Sequence, residues 1–321
     1  MSSQPLRHVA VVGATGRVGR AFVRELLKTG THTITALTRE DSKSVPPEGV
    51  KVVKVNYDDE ASLVSALRGQ QFLIITLPLN APEDIHGKIA SAAGKAGVPY
   101  VMPNAYTYPI ERRDADEESP FQQMYLARIK EVEDAGSAPV MLGCGFWYEW
   151  SLSLGNPWFG FDIKDRKVTF VDDGKRVITV STWDQCGRAA AALLGLPESG
   201  PRPSLADFKG RFVKIHSFRV SQRDILDSLH RVLGTTDADW DISYETVEKR
   251  RKDGAEELSK GIPTGFVKQM YANVFAADNK ASDYAGHADE ANSVLGLPEE
   301  NLDEVTKGVV AIVESGKSLF G

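Results

Sequence analysis

The stretch that most restricts how this chain can fold is VVGATGRVGR, residues 11–20. Gly13, Gly16 and Gly19 fall where an apolar run, HVAVVGA, gives way to a segment whose Val18, Phe22 and Leu26 recur at helical spacing until Gly30 can end it. A strand that turns into a helix through glycines has a physical use for each of them. One permits the tight turn, another lets backbone approach a diphosphate, and a third lets the helix pack closely, while the helix start offers free N–H groups and the positive end of its dipole. The pattern Gly13-x-x-Gly16-x-x-Gly19 differs from the GxGxxG of ordinary dehydrogenases, so its meaning rests on its place inside a β–α–β unit.

The segments C-terminal to the turn secure that place. HTITALTR and GVKVVKVNY read as strands, DEASLVSALRG as a helix, QFLIITLPL as an almost wholly apolar strand, PEDIHGKIASAAGKAG as a helix and VPYVMPN as a strand. After a charged loop, ERRDADEESP, a helix near residues 120–135 leads into APVMLGCGFWYEW as a sixth strand. Such alternation predicts an α/β chain with a Rossmann-type doubly wound parallel sheet over residues 1–150. Residues 151–321 are expected to form a smaller mixed α/β substrate lobe, with some segments returning to the sheet. KVTFVDDGKRVITV reads as a hairpin around DDG, GRFVKIHSFRV as one strand, and WDQCGRAAAALLGL, SQRDILDSLHRVLG and LDEVTKGVVAIVES as helices. The charge-rich TVEKRRKDGAEELSK reads as a solvated helix face.

Composition narrows the function. A hydrophobic content of 42% in 321 residues supports a sizeable core, and a net charge of −6 without basic clusters argues against a nucleic-acid partner. Cys144 and Cys186 make no disulfide framework and no CxxC pair, which fits a reducing compartment. The start lacks an apolar signal segment, the end lacks a peroxisomal tripeptide or a lipidation cysteine, and the longest apolar runs are far too short for a membrane span. A cytoplasmic protein without a membrane partner is the expectation, and nothing sets its oligomeric state. The six histidines show no metal-ligand spacing, and neither a GxSxG elbow nor a GxxxxGK[ST] loop is present, so no metal is implied.

The cofactor type is read at the end of the second strand, ALTRED. NAD binders usually place a carboxylate there, whereas this chain places Arg39 after Leu37 and Thr38, which favours a 2′-phosphate and hence NADP(H). Arg39 could instead be a solvated loop residue beside Glu40 and Asp41. Arg17, within the glycine loop, offers a second positive contact.

VVGATGRVG, the TR after the second strand, VNYDDEASLVSALRG, PNAYTY, GFWYEW and STWDQCGRAAAALL together resemble the NmrA-like and isoflavone-reductase-like branch of the atypical short-chain dehydrogenase/reductases, in the manner of a fungal secondary-metabolism member. The resemblance covers nearly the whole chain. It implies an extended Rossmann domain, NADPH, and a small C-terminal lobe closing over a hydrophobic substrate. It also implies diphosphate contacts from Gly13, Thr15, Gly16, Arg17 and Val18, with Gly19 completing the pattern, and a 2′-phosphate contact from Arg39. Asp58 would lie near the adenine, unless it caps the following helix. Thr76, Leu77 and Pro78 would line the adenosine ribose and the approach to the nicotinamide, and Pro103 and Asn104 would border the reaction centre.

The proton donor departs from the family pattern. The YxxxK of ordinary members would pair Tyr125 with residue 129, which is Ile129, and Lys130 stands about 140° round a helix from Tyr125. The lysine of isoflavone-reductase-like enzymes falls on Leu126 or Tyr125. What remains are the phenols Tyr106, Tyr108, Tyr125 and Tyr148. A phenol can protonate a carbonyl or alkoxide when desolvation or a nearby cation sets its acidity, and Arg128 stands three residues after Tyr125. Tyr125 is the preferred donor, with Tyr106 and Tyr108 as alternatives; all could equally line a pocket with satisfied hydroxyls. Phe146, Trp147, Tyr148, Trp150, Trp158, Phe159 and Phe161 gather where the two lobes are expected to meet, as substrate contacts or as core. These readings predict an NADPH-dependent reductase of a hydrophobic aromatic or polyketide-type natural product, acting on a carbonyl or conjugated double bond. The alternatives are a non-catalytic NADP(H) sensor and a non-redox enzyme on the same fold.

Overall fold

A computed structural model describes residues 4–78, 80–110 and 119–319. Most of the charged loop ERRDADEESP lies outside the described residues, as do Met1–Ser3 and Phe320–Gly321, the two ends on which the targeting expectations fall. In chain order the first elements are β1 (His8–Val12), α1 (Arg17–Lys28), β2 (Thr33–Arg39), β3 (Lys51–Val55), α2 (Glu60–Leu67), β4 (Phe72–Ile75), α3 (Ile85–Ala96), β5 (Tyr100–Met102), α4 (Pro120–Asp134), β6 (Ala138–Pro139) and β7 (Met141–Gly143). The local chemistry explains their limits. α2 starts on Asp59, whose carboxylate accepts from the Ala61 N–H at 3.0 Å. α3 stops at Gly97, which takes the left-handed φ of 77°. α4 starts on Ser119, with Pro120 in its first turn.

The strands β1 to β6 form one six-stranded sheet in the order β3-β2-β1-β4-β5-β6, every pair parallel. Central strands β1 and β4 are apolar because both their faces are covered, whereas edge strand β3 carries exposed Lys51 and Lys54. One face packs Ala10, Val12, Leu73, Ile75 and Val101 against Leu63, Leu67, Ile89, Ala93 and Val132 of α2, α3 and α4. The order reverses between β1 and β4, so the carboxyl ends of these two strands frame the crevice where open α/β sheets bind ligands.

The remaining elements are β8 (Phe146–Trp147), α5 (Tyr148–Ser153), β9 (Phe161–Asp162), β10 (Lys167–Val171), β11 (Ile178–Ser181), α6 (Trp183–Leu194), β12 (Phe212–Lys214), β13 (Phe218–Val220), α7 (Gln222–Leu233), β14 (Asp241–Glu245), α8 (Val247–Ser259), α9 (Thr264–Phe275), α10 (Ala285–Val294) and α11 (Leu302–Ser315). The chain forms two compact units. The first comprises Met1–Gly143, Trp183–Ile215 and Ala288–Leu297; the second comprises Cys144–Thr182, His216–His287 and Pro298–Gly321. In the first unit α6 packs on α1 so closely that a Cβ at Gly187 would lie 2.6 Å from the Ala21 carbonyl oxygen, and Arg24 meets Asp184 at 2.7 Å. β12 pairs in parallel with β7.

The fold departs from the sequence expectations at four places. The run from 138 to 150 is not one strand: β7 ends at Gly143, Gly145 turns with a φ of 63°, β8 is a two-residue strand, and α5 begins at Tyr148. The DDG turn forms, with Asp172 and Gly174 at positive φ, but β10 and β11 do not pair as a hairpin. β10 joins β14 and β9, while β11 joins β13 and β8, and the Gly174 carbonyl accepts instead from the Arg223 N–H at the start of α7. The run 210–220 is likewise two strands, β12 and β13, in different units. The charge-rich α8 is also less solvated than its composition implies, since Arg250 is fully buried with its guanidinium on Glu245 and on the carbonyls of Asn156 and Trp158.

Candidate active site

The turn from β1 into α1 is built from backbone. Gly13 has a φ of 79°, and its carbonyl accepts from the Gly16 N–H at 3.0 Å. A Cβ on Gly13 would lie 1.9 Å from the Thr76 carbonyl oxygen, and one on Gly19 would lie 2.1 Å from the Gly13 carbonyl oxygen, so neither position admits a side chain. Gly16 is different: it is exposed, and a Cβ there would meet nothing within 4 Å except the Gly13 carbonyl oxygen at 3.3 Å. As the N-cap of α1 it supplies no side-chain acceptor, and the first turn holds no acidic residue. The start of α1 thus presents backbone donors and a positive dipole end to an anion. Thr15 is half-buried, Val18 is buried, and Arg17 is exposed with its guanidinium carbon 6.0 Å from the Trp183 ring centre. Thr76 serves the cradle from β4: its hydroxyl donates to the carbonyls of Val12 and Gly13, at 2.8 and 3.1 Å.

At the end of β2, Thr38 is buried and its hydroxyl has no partner. Arg39 beside it is exposed, with Asp41 3.6 Å from its Nε. Lys54, opposite Thr38 in β3, donates to the carbonyls of Arg39 at 3.2 Å and Ser42 at 2.7 Å and so pins the loop. Burial pushes the nearby Tyr57 phenol up to about 12, against the opposing charge of Arg39. An exposed guanidinium at the end of β2, held only loosely by Asp41, fits a phosphorylated ribose edge. Asp58 is exposed and paired with Lys88 at 2.6 Å, and the helix cap that it might have supplied belongs to Asp59.

A third group forms at the end of β5. Asn104 is held on three sides: its side-chain amide donates to the Leu77 carbonyl at 3.2 Å, its carbonyl accepts from Arg128 Nη1 at 2.8 Å, and its backbone N–H donates to His86 Nε2 at 3.2 Å. His86 Nδ1 lies 2.5 Å from Glu131 Oε2. Pro103 is buried beside Asn104, Leu77 is half-buried and Pro78 is exposed. Arg128 also stands over the ring of Tyr125, its guanidinium carbon 5.6 Å from the ring centre, and Phe121 meets the same ring edge-on at 4.6 Å. Tyr106 is committed elsewhere, since its hydroxyl donates to the Ile75 carbonyl at 3.0 Å. The Tyr108 hydroxyl accepts from the Gln122 side chain at 3.4 Å.

The aromatic residues expected to hold substrate divide in two. Tyr148 and Phe159 are fully buried in the core of the second unit, as is Phe161. The Tyr148 hydroxyl is bonded to Thr306 at 2.7 Å and burial holds it well above the ordinary phenol range; Phe159 packs on Tyr271 and Phe275. Phe146 and Trp158 are buried, the former 4.8 Å from the Tyr271 ring. Trp147 and Trp150 keep partly open faces. The described residues hold no group of three or more His, Cys, Asp or Glu side chains that could bind a metal, and no helix among them is long and apolar enough to cross a membrane.

Residues 6–134 match the model of the NmrA-like family. Along 311 residues, 94% of this chain and 98% of the relative, the protein is 28% identical to a protein named oxidoreductase aprR of Aspergillus flavus. The crystal structure of isoflavone reductase matches it with a TM-score of 0.70 at 18% identity, covering 94% of this chain and 99% of that one. The quinone oxidoreductase QOR2 of Escherichia coli, complexed with NADPH, matches with a TM-score of 0.65 at 19% identity, covering 94% and 99%. The shared fold is the Rossmann-type sheet with a further C-terminal part.

His86 and Glu131 are absent from the sequence expectations. They stand in an Ala-rich helix and in a polar helix, forty-five positions apart. No spacing rule links a histidine on α3 to a carboxylate on α4; only the packing of the two helices does. A lone histidine in an Ala-rich helix was the available signal.

Proposed function

We propose that the chain is an NADPH-dependent reductase of a hydrophobic aromatic or polyketide-type compound. One observation carries the reading: the glycine cradle braced by Thr76 opens the uncapped start of α1 at the sheet's reversal point. Gly13, Thr15, Gly16, Arg17, Val18 and Gly19 would hold the diphosphate, and Thr38 and Arg39 the phosphorylated ribose. Asp58 would stand at the adenine side, and Thr76, Leu77, Pro78, Pro103 and Asn104 along the path to the nicotinamide. When bound, NADPH supplies a hydride to a carbonyl or conjugated carbon.

The chain's own task is then to place a proton on the substrate. The Tyr125 hydroxyl gives it to the oxygen that gains the electron pair, and solvent restores it. Arg128 stays charged throughout and stabilises the phenolate as it forms, so it assists without itself donating. Of the aromatic residues expected to contact substrate, Trp147 and Trp150 are among those that keep partly open faces. A fungal secondary-metabolism setting and a cytoplasmic location accord with this reading.

The test has two parts. Calorimetry measures NADPH binding, and NADPH oxidation is then followed with a panel of quinones, aryl ketones and aryl enones. Binding with turnover on one of these supports the enzyme. Binding without turnover, and without saturable quenching of tryptophan fluorescence by any of the panel, favours a sensor of NADP(H), a reading supported by the absence of a lysine at Leu126 and Ile129.

A further inference from the structure

His86 and Glu131 lie outside the glycine cradle, the β2 end and the tyrosine group, yet a buried imidazole with two specific partners is more than packing. A peptide N–H can only donate, so His86 Nε2, 3.2 Å from the Asn104 nitrogen, carries no proton. The ring hydrogen therefore sits on Nδ1 and is donated to the Glu131 carboxylate. Glu131 selects the tautomer, and the tautomer provides the acceptor for Asn104.

We propose that Glu131 and His86 are positioning residues that fix the Asn104 main chain at the reaction centre, and that protonation of His86 releases it. The proposal rests on the reading above of Asn104 as bordering the nicotinamide. A protonated imidazole would set an Nε2–H against the Asn104 N–H, two donors facing one another. Asn104 would then be held only through its carbonyl by Arg128 and its amide by Leu77.

Among the described residues, the charged groups facing the ring are Glu131 and Arg128, both on α4. On α3 itself Asp84 and Lys88 pair with each other, Lys88 also reaching Asp58, and on α2 Glu60 pairs with Lys95. Burial, aided by Arg128, outweighs Glu131 and holds the imidazole below its ordinary value. The ring is neutral near neutrality and the release falls on the acid side of about 6.5.

Long-range proton–nitrogen correlation spectra of the ¹⁵N-histidine-labelled protein, assigned with His86→Gln, report the tautomer. Amide spectra of the ¹⁵N-labelled protein follow the Asn104 N–H. Between pH 8 and 5, His86 should begin as the neutral Nδ1–H form, and the Asn104 amide should shift with the same midpoint as the ring. In His86→Gln, where a side-chain oxygen can accept in place of Nε2 without titrating, that shift should vanish. A ring protonated or Nε2–H at pH 7.5, or an Asn104 amide indifferent to its titration, overturns the proposal.

NADPH binding, measured across the same range, reads the consequence. The 2′-phosphate titrates near pH 6 as well, so the wild type is compared with His86→Gln, which shares that ionisation. The wild type should lose several-fold more affinity on acidification than His86→Gln, whereas His86→Phe, with no acceptor, should bind weakly throughout. Identical pH profiles for the wild type and His86→Gln would refute the role of His86. Should no form bind NADPH, the cofactor reading falls, and the Asn104 amide still decides whether the relay exists.

Discussion

Thr76 braces Gly13 from two directions: its hydroxyl lies 3.1 Å from the Gly13 carbonyl oxygen, and its own carbonyl oxygen occupies the space, 1.9 Å away, where a Gly13 Cβ would project. The turn is thus held both by its own Gly16 N–H, on the Gly13 carbonyl, and by the residue that follows β4.

Thr76→Val removes the hydroxyl and keeps the shape. The Val12 and Gly13 carbonyls retain backbone partners, so the cost should be about 1 kcal/mol, read from urea unfolding, together with weaker NADPH binding by calorimetry. Gly13→Ala meets both a positive φ and a backbone clash and should abolish cofactor binding.

Arg39 and Thr38 should separate the two nicotinamide cofactors. NADPH is expected to bind at least about tenfold more tightly than NADH, equivalent to roughly 1.4 kcal/mol, and Arg39→Asp should remove most of the difference. Thr38→Val should act in opposite senses: replacing an unpartnered buried hydroxyl stabilises the free protein by about 1 kcal/mol while weakening NADPH binding. Equal affinities for both cofactors in the unaltered protein would sink the assignment.

The tyrosines should split by what their hydroxyls already do. Tyr106→Phe loses a bond to the Ile75 carbonyl, so melting temperature should fall while turnover changes little. Tyr125→Phe keeps the ring under Arg128 and should lower turnover by about 10² to 10⁴ without altering NADPH affinity. The reverse outcome would move the proton donor into the NAYTYP segment.

Two histidines give a pH signature of stability. His32 and His86 are both held below their ordinary value, chiefly by burial. Below about 6.5 the unfolded chain binds protons that the folded chain refuses, so their stabilising contribution is complete above that pH. It is lost progressively as the pH falls toward the folded values. Urea midpoints should therefore drop between pH 8 and 5.5. The ion-paired carboxylates, whose folded values are lowered, do not begin to lose their contribution until near pH 4. A flat midpoint over that range would count against both assignments.

The parallel sheet and the cradle were legible in the sequence because they depend on local signals: the apolar strands β1 and β4, the glycines at 13, 16 and 19, and the Gly97 stop of α3. The second unit was less so. DDG is a good turn signal, but whether flanking strands pair is settled by partners elsewhere, here β14 and β13. The aromatic residues near 146–159 look alike in sequence, and only burial separates Tyr148 and Phe159 from Trp147 and Trp150. The Glu131–His86–Asn104 chain joins three segments through side-chain tautomer and backbone polarity, neither of which periodicity can register.

The first unit is discontinuous along the chain, and this orders its birth on the ribosome. Strands β1 to β7 are synthesised first, but α6, whose Gly187 seats against Ala21, and β12, the partner of β7, emerge only after an intervening stretch that belongs to the other unit. Until α6 emerges, the nascent chain carries the outer surface of α1 uncovered and β7 without its neighbour. A fragment ending near residue 150 would keep that same unfinished condition permanently, with α1 and β7 lacking the partners that α6 and β12 supply.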